Sequence, residues 1–136
     1  MAQTPNATTL YRLLGSGLTL VAVVFLVGRM LQPSLVKGGD NVVPYGVAGI
    51  ALLILAVAQG FVRPRVPARA PGQTVEAYFA TPSITAQILR VWFLTEGAGL
   101  MAGAGYWATG HVAPAAVMII AVVVYWISGP DKFAKP

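Results

Sequence analysis

ITAQILRVWFLTEGAGLMAGAGYWAT, Ile84–Thr109, is the stretch on which the fold turns. A helix needs roughly 17–25 residues to cross about 30 Å of hydrocarbon, and this run is long enough. It carries a single acid, Glu96, about 11 residues in, or roughly 16 Å along a helix. An ionisable group at that depth costs a few kcal/mol to place, so it marks a function or a specific partner. Glu96, Gly99, Gly103, Tyr106 and Gly110 share one helical stripe, with GxxxG spacing at Gly99 and Gly103. Small residues let another backbone come close, so the carboxyl is expected in a helix interface rather than in lipid. Two readings of it stay open: a protonated acid donating a hydrogen bond between helices, or a carboxyl that takes up and releases a proton or cation.

Three more apolar runs surround this one. The predicted spans are 10–31, 44–62, 84–109 and 111–129, joined by a short loop at 33–43 and a linker at 63–83. The chain has 136 residues, 57% hydrophobic and 10% charged, with a mean hydropathy of +0.72. Soluble domains hold about 25% charged residues, so the composition is that of a membrane protein with one membrane domain over 1–136. No cysteine is present, which removes disulfides, thiol nucleophiles and iron–sulfur ligation. Arg12 alone precedes Leu18 and no small-residue cleavage site follows Val27, so the first run is expected to stay in the mature protein. Asn6-Ala7-Thr8 fits a glycosylation sequon, a pattern common by chance.

The net charge of +5 is a topology signal, because the cations sit at span ends and in one loop instead of forming a nucleic-acid patch. With the N-terminus inside, Arg12, Arg63, Arg65, Arg69, Arg90, Lys132 and Lys135 are cytoplasmic, against Arg29 and Lys37 outside. Both termini are therefore expected inside. Gly110-His111 leaves room only for a tight antiparallel hairpin between the last two spans. The expected fold is an all-α, integral membrane four-helix bundle, N-in and C-in, in the bacterial inner membrane. Tyr11, Tyr45, Trp92, Tyr106-Trp107 and Tyr125-Trp126 gather near span boundaries, as an interfacial aromatic belt would.

Other polar and small residues have assigned roles. Gly49, Leu53, Ala56 and Gly60 form a second helix-packing stripe, on the second span. Gln59 reads as an interhelical hydrogen-bond partner or an interfacial residue rather than a ligand. Three arginines alternate with prolines from Arg63 to Pro71, an extended basic linker; Arg63, Arg65, Arg69 and Arg90 are expected to contact headgroups or a partner subunit. Arg90 lies roughly 9 Å before Glu96 and about 120° around the helix, a poor geometry for pairing. Tyr78 and Phe79 are expected to dip into the interface. Lys37-Gly38-Gly39-Asp40 lacks the strand and the Lys-Ser/Thr pair of a phosphate loop. His111 is the sole histidine; it reads as a cap or interfacial residue, with haem or chlorophyll ligation the sharper alternative. No catalytic set or metal-spaced cluster occurs, so an enzyme is not expected. No cofactor is predicted beyond lipid.

The pattern Ile88-Leu89-Arg90, Leu94-Thr95-Glu96-Gly97, Tyr106 to Gly110 and Gly129-Pro130-Asp131-Lys132 resembles an uncharacterised family of small four-span bacterial membrane proteins. That resemblance implies architecture and no activity. Arg63-Pro64-Arg65 followed by a helix with one mid-membrane acid also resembles the proteolipid subunits of rotary ATPases, which implies Glu96 as an ion carrier. The chain departs from them in its longer loop and in lacking their dense glycine ridge. The leading expectation is a non-enzymatic subunit within a larger respiratory or photosynthetic membrane complex, with the lipid bilayer and either that complex or a homo-oligomer as partners; the alternative is a proton- or cation-handling protein using Glu96.

Overall fold

The computed structural model describes residues 6–33 and 40–135, and these form helices with no strand among them. The reading made for Lys37-Gly38-Gly39 lies outside the described residues. Helix α1, Ala7–Leu31, begins ahead of the apolar run because Asn6 caps it, its Oδ1 accepting the Thr9 amide at 2.8 Å. Gln32, held extended before Pro33, ends it.

Helix α2, Val42–Val57, continues into a π turn at Ala58–Val62 and a 3-10 turn at Arg63–Arg65. The basic linker was expected to be extended from Arg63 onward; its first turn is instead helical. The Arg63 amide reaches back to the Ala58 carbonyl and the Val66 amide to the Arg63 carbonyl. This change of register carries the rod past Pro64, which has no N–H to give.

A glycine turn at Gly72 (φ 80°) leads to α3, Val75–Ala80, capped by Thr74. Then comes α4, Pro82–Thr109, of 28 residues, ending at a left-handed Gly110 (φ 68°). Arg29 lies against that glycine, and a side chain there would meet its guanidinium. Helix α5, Val112–Ile127, and a short α6, Pro130–Phe133, complete the chain.

Contacts fix the helix directions. Leu18 and Phe25 of α1 meet Gly99 and Gly103 of α4 in matching order, so these two helices run parallel. Val47 meets Gly105 and Gln59 meets Thr95, so α2 runs against α4. Ala121, Met118 and Pro114 meet Gly99, Gly103 and Gly105 in turn, so α5 does the same. The order is up, down, up, down, with α4 and α5 packed together and α1 and α2 each packed on both. The start of α1, the end of α2, the linker and the tail share one end, the linker end; Gly110-His111 lies at the other.

Buried residues gather in two clusters. At the linker end Tyr11, Trp92 and Tyr125 pack with Ile88, Tyr78 and Phe133. Farther along, Ala22, Ala48, Ala51 and Ala102 pack with Val117 and Met118. Trp92 and Tyr125 are 1% and 0% exposed, so these two and Tyr11 belong to the core instead of an aromatic belt. Their polar tips are satisfied by backbone carbonyls of neighbouring helices, which is what permits the burial. Tyr45 and Trp126 do face outward.

Ala7–Leu31 and Val42–Arg65 are long and apolar enough to cross a membrane, the most apolar 18 residues of each having mean hydropathies of 2.0 and 2.1. Only 22% and 28% of their most apolar windows is buried in the protein. The outward faces carry Leu20, Val23 and Val24 on α1 and Ile50, Leu52 and Leu53 on α2. Phe93 on α4 and Ile119, Ile120 and Val123 on α5 extend the same girdle. Large apolar patches of this kind mark contact with lipid or with another protein.

Candidate functional site

At the linker end the register shift in α2 aims Gln59 inward, where it joins three elements. Its Nε2 donates to Thr95 Oγ1 at 3.2 Å; its Oε1 accepts from Arg63 at 3.0 Å and from the Ser128 hydroxyl at 3.4 Å. Thr95 and Ser128 are the buried polar residues of the core. Thr95 also donates to the Val91 carbonyl at 2.8 Å, the back-bonding habit of a threonine within a helix. Trp92 Nε1 donates to the Ser128 carbonyl at 2.9 Å, closing the node against the end of α5. The amide of Gln59 is thus the interhelical partner expected of it.

Glu96 follows Thr95 at the middle of α4 and is half-buried. Gly99 and Gly103, one and two turns farther on, face Leu18 and Phe25, which puts Glu96 on the flank of α4 turned toward α1. The hydroxyls of Thr95 and Tyr125 donate elsewhere, to the Val91 and Tyr11 carbonyls, and not to its carboxyl. Arg90 is exposed and does not pair with it.

The two small-residue stripes have different fates. Gly99 and Gly103 are buried, and a methyl group on either would press on Leu18 at 2.9 Å or, closer still, on Phe25. Gly49, Ala56 and Gly60 are exposed, and added carbons at the two glycines would meet nothing within 4 Å. The packing face of α2 within this chain is Pro44, Ala48, Ala51, Leu55 and Ala58 instead. Both faces have helical periodicity and small residues; the alanine-rich one closes on α4 because Ala51 and Ala58 accept full burial with no group left unsatisfied.

The linker arginines divide. Arg65 is exposed. Arg69 donates to the carbonyl of Gln73 and, at 2.8 Å, to that of Ala134, tying the linker to the tail. Arg63 sits 5.5 Å from the centroid of the Phe133 ring. Tyr78 was expected in the membrane interface; it is fully buried in the protein, where its hydroxyl donates to the Pro67 carbonyl at 2.8 Å. Burial raises its pKa above the ordinary tyrosine value. His111 caps α5, its Nδ1 accepting the Ala113 amide at 3.1 Å, with its ring edge-to-face on Tyr45 at 5.0 Å.

Arg63, Lys132 and Lys135 border a cleft of about 470 Å³ beside Gln59. Sequence reading did not join the tail to the linker, since no short-range pattern pairs residues so far apart. Phe133, an apolar residue between lysines in a polar tail, was the available signal.

No protein-family model, curated protein or solved structure matches the chain.

Proposed function

We propose that the chain is a four-span integral membrane subunit, with both termini on the cytoplasmic side of a bacterial inner membrane, that packs against a larger membrane protein complex. The observation that carries this reading is the outward stripe Gly49, Leu53, Ala56 and Gly60 on α2 and the π turn that continues it, a close-packing surface that no other helix among the described residues uses. The apolar girdle over all four long helices supports the membrane placement. The cations at the linker end support the orientation.

The test is mild-detergent purification of the chain with everything bound to it, beside variants Gly49→Leu and Gly60→Leu. Both positions open onto free space, so the chain itself keeps its fold. Loss of co-purifying protein in these variants is the expected result; an unaltered set of partners, or a lone wild-type chain, counts against the reading.

A second reading, ion handling by Glu96, is favoured by one observation: a half-buried carboxyl at the middle of α4 to which the Thr95 and Tyr125 hydroxyls do not donate. Structural acids at membrane depth pair with something. Carbodiimide modification of Glu96 at neutral pH in lipid would support a proton-exchanging group. Absence of modification, with Glu96→Gln leaving partner binding and membrane ion flux unchanged, would remove it.

A further inference from the structure

We propose that the cleft between the Arg63–Ala68 segment and the C-terminal tail binds a phosphate group, carried by an anionic lipid headgroup or by a free phosphorylated compound. Three cations, Arg63, Lys132 and Lys135, line it and no acid does. Like charges gathered around one cavity repel, and the field between them favours an anion. The fold holds them there by means other than charge pairing. Phe133 is buried against Trp92, ring centroids 6.3 Å apart, which plants the two flanking lysines beside the linker. Arg69 fixes the Ala134 carbonyl from the opposite side.

Arg63 is itself oriented by its bond to Gln59, made through one terminal nitrogen. Its other guanidinium nitrogens hold no bond among the described residues and remain for a ligand. A planar guanidinium with two flanking ammonium groups is the donor set that suits phosphate oxygens. A volume of about 470 Å³ lies in the range of small-molecule sites, larger than a bare ion requires. Gln59, Val66 and Pro67 also line the cleft, so the polar end of a ligand would lie toward the cations and its less polar part along the linker.

The lipid source rests on the membrane-spanning reading above; the phosphate chemistry does not. The full chain in neutral detergent is titrated in two arms, with phosphatidylglycerol against a phosphatidylcholine control and with inorganic phosphate in the absence of lipid. The double variant Lys132→Gln, Lys135→Gln, at exposed positions, is compared with wild type, and Arg63→Lys keeps the charge while removing the fork. Binding is expected to weaken about thirtyfold in the double variant, two basic side chains at their usual worth beside an anionic group, and by less in Arg63→Lys. Loss confined to the lipid arm assigns the headgroup, and loss in the phosphate arm assigns the free compound. Equal binding by wild type and double variant in both arms overturns the proposal. Flotation with vesicles reports the membrane reading separately: a chain that fails to float refutes that reading and leaves the phosphate arm to decide this one.

Discussion

The hydroxyl of Tyr11 donates to the carbonyl of Tyr125 at 3.1 Å while the hydroxyl of Tyr125 donates to the carbonyl of Tyr11 at 3.0 Å. The two rings stack with centroids 5.1 Å apart and planes within 5°. This reciprocal pair closes the start of α1 on the end of α5, the two parts of the bundle most distant in sequence. The single Tyr11 proton is shared with the Trp126 carbonyl, which lies nearer at 2.7 Å.

That geometry ranks three variants. Tyr125→Phe is expected to cost about 1 kcal/mol, a typical net hydrogen bond, and Tyr11→Phe somewhat more because its hydroxyl serves two carbonyls. Gly15→Ala should cost most, about 1–3 kcal/mol, since its methyl would lie 2.7 Å from a Tyr125 ring carbon. The stacking and the bonds leave that ring nowhere to retreat. Thermal unfolding of the detergent-solubilised chain gives the order; a Gly15→Ala protein as stable as wild type would mean the α1–α5 junction is looser than described.

The two glycine stripes give a second contrast. Gly103→Ala pushes on the Phe25 ring and on Met118 at 3.0 Å and is expected to lose about 1–3 kcal/mol. Gly49→Ala and Gly60→Ala meet open space, so helix propensity dominates and stability should hold or rise by up to about 1 kcal/mol. The same melting measurement separates them, and a destabilising Gly49→Ala in the isolated chain would place an unseen contact on that face.

These stripes also show what a sequence of this kind can and cannot convey. Hydropathy and the Gln32-Pro33 and Gly110 stops located the long helices to within a turn or so, because helix length and chain breakers are local properties. Choosing which face of α2 would be inside was beyond it: Gly49-Ala56-Gly60 and Ala48-Ala51-Ala58 are both small, and only the shape of α4 decides between them. The aromatic residues misled for a related reason. Tyr11, Trp92 and Tyr125 sit at span boundaries, where a belt residue and a core residue with a carbonyl to bind have the same sequence position.

Tyr78 links the linker to pH. Its neutral hydroxyl donates to the Pro67 carbonyl, and burial holds its pKa above the ordinary value. The folded chain therefore keeps this proton more tightly than the unfolded one. The stability it contributes is complete below about pH 10, the unfolded value, and declines as pH rises from there through the folded value. With no cysteine in the chain, Ala68→Cys accepts a single fluorophore on the linker. Its anisotropy should fall as pH rises above about 10, and Tyr78→Phe should lower it already at neutral pH and abolish the transition. A transition of equal size in the Tyr78→Phe protein would assign it to another group.

Gln59 is the residue through which linker, α4 and α5 are joined, so its replacement should act differently on each partner. In Gln59→Leu, Thr95 keeps its bond to the Val91 carbonyl and loses little. The Ser128 hydroxyl gives up its 3.4 Å contact, which is already long. Arg63 loses its 3.0 Å anchor and is left to its cation–π contact with Phe133. A double-mutant cycle between Gln59→Leu and Arg63→Ala is therefore expected to give a coupling of about 0.5 kcal/mol, the upper end for side-chain pairs four residues apart on one helix. The cycle between Gln59→Leu and Thr95→Val should give less, because Thr95 has its own helix as a second acceptor. Thermal unfolding of the four proteins in each cycle measures both terms. Equal couplings in the two cycles would show that Gln59 works by filling space in the core, and that Arg63 is positioned by the ring of Phe133 alone.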